Sequence, residues 1–254
     1  MKFLRDTWLV FTRQMLLVWR TPARLVIGFV QPVAYLVLFA PLLKTALAPT
    51  GAQTYADAYR VYVPGLLVVL VLLSGFFAGF GLLGELRSGV IERSRVTPVS
   101  RTALILGRAF SEVVTLMGQA VVITVVALPF GLTVHLGWLM LAYLMLALMA
   151  LMACALSYAM AMLIPSPAAL GPLINSVSQP LSLLSGVLLP LSLAPGWLVA
   201  IAEWNPIYWT TNGTRSLFTG NPGDVSVWAG MLIVIALAAL TVTWATRMFA
   251  RQVR

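Results

Sequence analysis

The sequence predicts an all-α membrane protein: six transmembrane helices, an N-terminal interfacial helix, and re-entrant external helices between spans five and six. Three observations predict it. First, 61% of the 254 residues are hydrophobic and 9% are charged, where a soluble domain carries about 25% charged residues. Most of the chain therefore cannot face water. Second, its charges bracket apolar runs long enough to cross about 30 Å of hydrocarbon, which takes about 20 helical residues. Third, the basic residues divide unevenly between the two sides that those runs define.

Composition also excludes several kinds of chemistry. Cys154 is the one cysteine, so neither an intrachain disulfide nor a thiolate cluster can form. His135 is the one histidine and sits among apolar residues, which leaves zinc-type chemistry without a ligand set. A formal charge of +9 could suggest nucleic acid, but these basic residues lie at the ends of apolar runs, which is the membrane pattern.

The chain opens on an amphipathic stretch, residues 3–20. Leu4, Trp8, Phe11, Met15 and Trp19 recur at helical spacing, while Asp6, Arg13 and Arg20 fall seven apart on another face. That suits a helix in the membrane interface, apolar side down and arginines toward lipid phosphates. A frayed extension of the first span is the plainer reading, but a spanning helix would not carry Asp6 and Arg13. About 24 residues of helix-like sequence precede the first span, which is therefore expected to be retained rather than cleaved.

Charge-free runs cover residues 25–43, 61–84, 113–134, 136–202 and 225–246. The fourth is too long for one helix and is broken by Pro165-Ser166-Pro167. The expected spans lie near 25–43, 61–84, 104–130, 136–163, 169–189 and 225–247, in one transmembrane domain covering residues 1–254. No soluble domain is expected at either end.

With both termini inside, the cytoplasmic side holds Lys2, Arg5, Arg13, Arg20, Arg24, Arg87, Arg93, Arg95, Arg101, Arg108, Arg247, Arg251 and Arg254. Only Lys44, Arg60 and Arg215 remain outside. This thirteen-to-three bias sets the orientation.

The loop after span two, Glu85 to Arg101, gathers charge that the rest of the chain avoids. Thr97 followed by Pro98 reads as N-cap and first residue of the next helix. A short charged helix, within residues 85–97, is expected at the cytoplasmic surface, although many such loops are simply solvated. The pattern Glu85-x-x-x-Gly89-x-x-Glu92-Arg93, followed by Val96-Thr97-Pro98-Val99-Ser100-Arg101, resembles the signature loop of type-2 ABC exporter permeases. Daunorubicin-resistance, multidrug-efflux and lipo-oligosaccharide export permeases belong to that group. Ser88, Val90 and Ser94 depart from residues frequent in it.

The resemblance implies that this loop is a coupling helix docking into an ATPase subunit, with Val90 and Ile91 as apolar insert. Glu85, Gly89, Glu92, Arg93, Thr97 and Pro98 complete the coupling set. It also implies a multi-pass protein of a bacterial plasma membrane, paired with a second permease as homodimer or sister heterodimer. Two separate ATPase subunits would hold the ATP and magnesium, leaving no cofactor in this chain.

Residues 190–224, with Pro190, Trp197, Asn205, Pro206, Tyr208 and Arg215, resemble the same family's external region, where two short helices dip into the membrane and return. On its own terms this stretch has Gly and Pro punctuating apolar segments too short to span, and Trp and Tyr suited to the interface.

Within span five, Asn175, Ser178, Ser182 and Ser185 recur at helical spacing with Gln179 beside them. Amides in lipid require partners, so this face either packs on another helix or lines the substrate pathway. Gln31 and Tyr35 in span one are pathway candidates of the same kind. Ser74, Gly75, Ala78 and Gly79 read as close helix packing in span two.

Other classes fit less well. A P-loop needs glycines ahead of a Lys-Ser/Thr pair, yet Lys44-Thr45 follows Leu43, and Leu38 stands where the first glycine belongs. This chain therefore reads as a transport subunit, not an enzyme. A proton antiporter needs an ionisable group within the membrane, and Glu112 is expected instead to pair with Arg108 one turn away. The expected cargo is an amphipathic drug, antibiotic or lipid-like molecule. A lipid-linked polysaccharide or lipo-oligosaccharide exporter is the alternative.

Overall fold

A computed structural model describes residues 2–21, 26, 28–38, 54–89, 100–187, 191 and 194–252. Its helices are α1 (Lys2–Arg20), α2 (Gly28–Leu38), α3 (Tyr55–Arg87), α4 (Arg101–Ala127), α5 (Leu136–Leu163), α6 (Pro167–Leu183), α7 (Gly196–Ala202), α8 (Pro206–Phe218) and α9 (Val225–Gln252). Among the described residues there is no strand.

Among the described residues, four helices are long and apolar enough to cross a membrane: Ala58–Arg87, Thr102–Phe130, Leu136–Leu163 and Val225–Phe249. The expected first span, 25–43, lies partly outside the described residues, and its described part is the short apolar helix α2. The expected fifth span, 169–189, ends early. Helix α6 has 17 residues, about 25 Å at 1.5 Å per residue. Pro172 and Pro180 interrupt it, and the chain turns out through Gly186 at φ 68, a left-handed conformation that ends helices cheaply only at glycine.

Helix α5 is the centre of the bundle. Its second half is buried almost continuously, from Met149 to Met162, against α3, α4 and α9. Small residues make that enclosure possible. An added Cβ at Gly75 would stand 2.7 Å from the Ala153 Cβ, and one at Gly79 would stand 2.5 Å from Ser157 Oγ. The Gly79 N–H donates to Ser157 Oγ at 2.9 Å, and that hydroxyl donates to the Phe76 carbonyl.

Two caps fix the segment between α6 and α9. Asn205 caps α8 by accepting from the Ile207 N–H at 3.0 Å, and its amide donates to the Leu181 carbonyl at 2.8 Å. Thus one side chain satisfies the start of α8 and a free carbonyl at the end of α6. Asp224 caps α9: it accepts from the Ser226 N–H at 2.9 Å and from Ser216 Oγ at 2.8 Å. These bonds, the backbone one foremost, hold its carboxyl below the ordinary 3.8. Asp224→Ala should lower stability by about 1 kcal/mol at neutral pH. Because the folded value is depressed, the cap contributes fully above the unfolded value and is lost as pH falls through the folded one. Thermal melts of native and variant protein should therefore differ at pH 7 and converge at acid pH.

Candidate coupling and transport site

Three regions expected to carry function can be placed, beginning at the stem of the charged loop. Glu85 does not open a separate short helix. It lies in the last turn of α3, which continues to Arg87 before Ser88 and Gly89 turn the chain. Gly89 has φ 69, which supplies the physical stop. Val90, Ile91, Glu92, Arg93, Thr97 and Pro98 lie outside the described residues. Where the chain returns, the N-cap of α4 is Ser100, not Thr97: Ser100 Oγ accepts from the Ala103 N–H at 3.2 Å.

Glu85 is the hub of a half-buried polar cluster. Arg108 Nη1 of α4 approaches its Oε2 at 2.6 Å, with the two side chains 7% and 23% exposed. The contact is an ion pair set off the hydrogen-bond direction, and Arg108 Nε has no hydrogen-bond partner among the described residues. Gln14 of α1 donates to Glu85 Oε1 at 2.9 Å. The Arg108 guanidinium also stands 5.7 Å from the Tyr158 ring of α5, within cation–π range. Arg108 thus has a carboxylate partner on another helix, beyond the Glu112 expected from its own. Arg87 donates to the Pro165 carbonyl at 2.9 Å, tying the α5–α6 connection to the same end.

The second region is a cleft of about 130 Å³ between α2 and α3, lined by Gly28, Gln31, Pro32, Tyr35, Leu66, Val69, Leu70, Leu73 and Ser74. Both pathway candidates of span one, Gln31 and Tyr35, face it, with Gln31 Nε2 donating to the Tyr35 hydroxyl at 3.4 Å. On α6 the polar residues divide between two sides. Asn175 and Gln179 are exposed together with Ser176, whereas Ser178 and Ser185 are buried and Ser182 lies between. The exposed arc is rotated from the one read in the sequence: it runs through Asn175, Ser176 and Gln179, while Ser178, about 60° around from Asn175, is turned into the bundle. Ser185 follows the end of α6 and donates to the Ser182 carbonyl at 2.6 Å.

In the third region, Pro190 lies outside the described residues. Trp197 and Trp204 are exposed, the latter by 90%. Pro206 is the first residue of α8, and Tyr208 meets Trp209 edge-on at 5.7 Å. Arg215 is turned inward. Its Nη2 donates to the Gly186 and Val187 carbonyls at 2.7 and 2.9 Å, and its Nε to the Val61 carbonyl at 3.2 Å. It thereby joins the break after α6 to the turn of α3 that precedes Pro64. A Cβ on Gly65 would collide with the Val187 carbonyl, so glycine is needed for this approach.

The profile of the ABC-2 type transporters matches residues 5–219. The chain belongs to that family. Among curated proteins it is 30% identical over 213 residues to ycf38 of Pyropia yezoensis, described as a transport permease, covering 83% of this chain and 72% of that one. It is 23% identical over 227 residues to the daunorubicin resistance ABC transporter permease protein DrrB1 of Streptomyces coeruleorubidus, covering 88% and 77%.

In this ABC-2 permease, sequence reading passed over Gln14 and Asn205's link to Leu181, and placed Glu85 outside the bundle. Gln14 carried a usable signal: it is a polar side chain about 80° from Asp6, on the arc of α1 away from the tryptophans. Among the described residues no group of three or more His, Cys, Asp or Glu could hold a metal.

Proposed function

We propose that this ABC-2 chain is the permease subunit of an ATP-driven exporter. It would move an amphipathic drug, antibiotic or lipid-like substrate out of the cytoplasm or inner leaflet. The observation that carries this reading is the loop stem: Glu85, where the arginine-rich segment leaves α3, is tied to α1 and α4 through Gln14 and Arg108. Motion delivered to that segment by a separate ATPase would reach the bundle through a half-buried polar connection rather than a loose loop. In this reading α2 and α6 complete six spans, both termini are cytoplasmic, and α7 and α8 re-enter the outer leaflet. The exposed amides Asn175 and Gln179 then border the route between two permeases, homodimeric or paired with a sister chain. Two ATPases beneath hold ATP and magnesium. The drug-resistance name of one relative favours drug-like cargo.

Glu92→Ala should leave the permease inserted yet weaken its capture of the ATPase. Loss of one buried, hydrogen-bonded charge at an interface costs about 2–5 kcal/mol, which is roughly 30-fold or more in affinity. Gly89→Pro should act likewise, since proline is held near φ −65° and Gly89 stands at φ 69. Co-purification and vesicle transport check both. Normal transport by either variant, or proton-driven transport by the purified chain alone, would overturn the reading.

A further inference from the structure

The charged segment between Gly89 and Ser100 is held at both of its ends by one helix, α1. At the outgoing end, Gln14 donates to Glu85 at 2.9 Å. At the returning end, the Ser100 N–H donates to Asp6 Oδ2 at 3.4 Å, and Asp6 is only 5% exposed. Two turns of helix separate Asp6 from Gln14, so both lie on one face and reach the two stems together. Close packing fixes that face against α4: an added Cβ on Gly107 would lie 2.7 Å from the Thr7 carbonyl and 2.8 Å from the Val10 Cβ.

The remaining surface of α1 has a different chemistry. Leu4, Trp8 and Trp19 form an exposed apolar arc. Lys2, Arg5, Arg13 and Arg20 are exposed around from it. Asp6, the only carboxylate of α1, is the residue turned inward. A strip of cations beside an arc of tryptophan and leucine is complementary to an anionic bilayer surface, where apolar groups enter the acyl boundary and guanidinium groups meet phosphates.

We infer that α1 is a lipid-reading clamp: anionic phospholipid headgroups bound by Arg5, Arg13 and Arg20 hold α1 in place, and α1 in turn fixes both ends of the coupling segment through Asp6 and Gln14. Anionic lipid thereby sets how much substrate is moved per ATP. In a zwitterionic bilayer α1 loses its electrostatic tether, the two stems move independently, and ATP turnover slips. This rests on the exporter reading above, but its structural half does not.

The test uses the complex of this permease with its ATPase, reconstituted in phosphatidylcholine vesicles with and without phosphatidylglycerol. In the native complex, phosphatidylglycerol should raise the transport-to-hydrolysis ratio and slow hydrogen exchange at the Ser100 and Ala103 amides. Replacing Arg5, Arg13 and Arg20 by Gln should weaken phosphatidylglycerol retention about fivefold for each arginine and abolish both responses. Gln14→Leu and Asp6→Leu, which leave the outer face intact, should retain the lipid yet lose the responses. If one of this pair fails to fold, the other carries the test.

Several results would overturn the inference: equal coupling in both vesicles, arginine variants that respond like the native complex, or inner-face variants that do. It would equally fall if the arginine variants lost the ATPase while keeping the lipid, since the cations would then be an ATPase contact. Were no vesicle to show ATP-driven transport, the exporter reading would fail. Exchange at Ser100 and Ala103 would then still decide the clamp, which is refuted if phosphatidylglycerol leaves it unchanged.

Discussion

Glu85→Ala should destabilise the permease by about 3–5 kcal/mol, because it removes the cross-helix carboxylate from the buried Arg108 guanidinium. Arg108 is 7% exposed and faces α5 through the Tyr158 ring, so water cannot readily replace the lost partner. Arg108→Ala should cost a similar amount, since among the described residues the Glu85 carboxylate then keeps only the Gln14 amide. The double variant Glu85→Leu/Arg108→Met should recover most of the loss, as apolar replacements of buried ion pairs often do. Thermal unfolding of the four proteins in detergent, followed by circular dichroism, gives the coupling energy as a double-mutant cycle. Single variants within about 1 kcal/mol of native would show the pair to be solvent-screened and not an anchor. The double variant also separates stability from transmission. It should fold well yet couple poorly, since the loop stem would rest on apolar contact in place of a directional pair.

Much of this architecture was legible in the sequence, and the parts that were not share a cause. Long uncharged runs announced α3, α5 and α9, because a helix without charge over 20 residues has few other places to go. The start of α4 was harder. Arg101 and Arg108 sit inside that helix, and a charged residue can occupy a membrane helix only once its partner is known. Glu85 supplies that partner from a different helix, and a cross-helix pairing leaves no mark at a fixed spacing. The polar side of α6 was legible as a periodicity but not as a direction. Ser178 and Asn175 are three residues apart and share a broad face, yet one is buried and the other exposed, a choice made by what α6 packs against. The end of α6 was missed for a related reason: Ser185-Gly186 in an apolar run resembles a tolerated small pair, and the turn becomes visible only when Arg215 is seen taking the carbonyls released there. Asp6 and Arg13 did mark α1 as something other than a span, and the structure adds the reason for the acid, its approach to Ser100.

Gly79→Leu should produce a large packing defect, above about 3 kcal/mol, and Gly79→Ala one of about 1–3 kcal/mol. The obstruction is backbone as well as side chain. A Cβ at this position would stand 2.6 Å from the Ser157 carbonyl oxygen and 3.1 Å from its carbon, atoms that cannot rotate aside. Relief requires α3 and α5 to separate where Ser157 Oγ receives the Gly79 N–H, so packing and a buried hydrogen bond are lost together. Gly118 provides the contrast. It lies within α4, and an added Cβ there meets nothing within 4 Å, so Gly118→Ala should stabilise by about 0.5–1 kcal/mol through helix propensity alone. Opposite signs for the same chemical change would locate the effect in the α3–α5 contact rather than in glycine's backbone freedom. Melting temperatures of Gly79→Ala, Gly79→Leu and Gly118→Ala, measured in one detergent, test this directly. A neutral Gly79→Ala would mean that the two helices can part at no cost. In that case α3 could not carry motion from Glu85 into the body of the bundle.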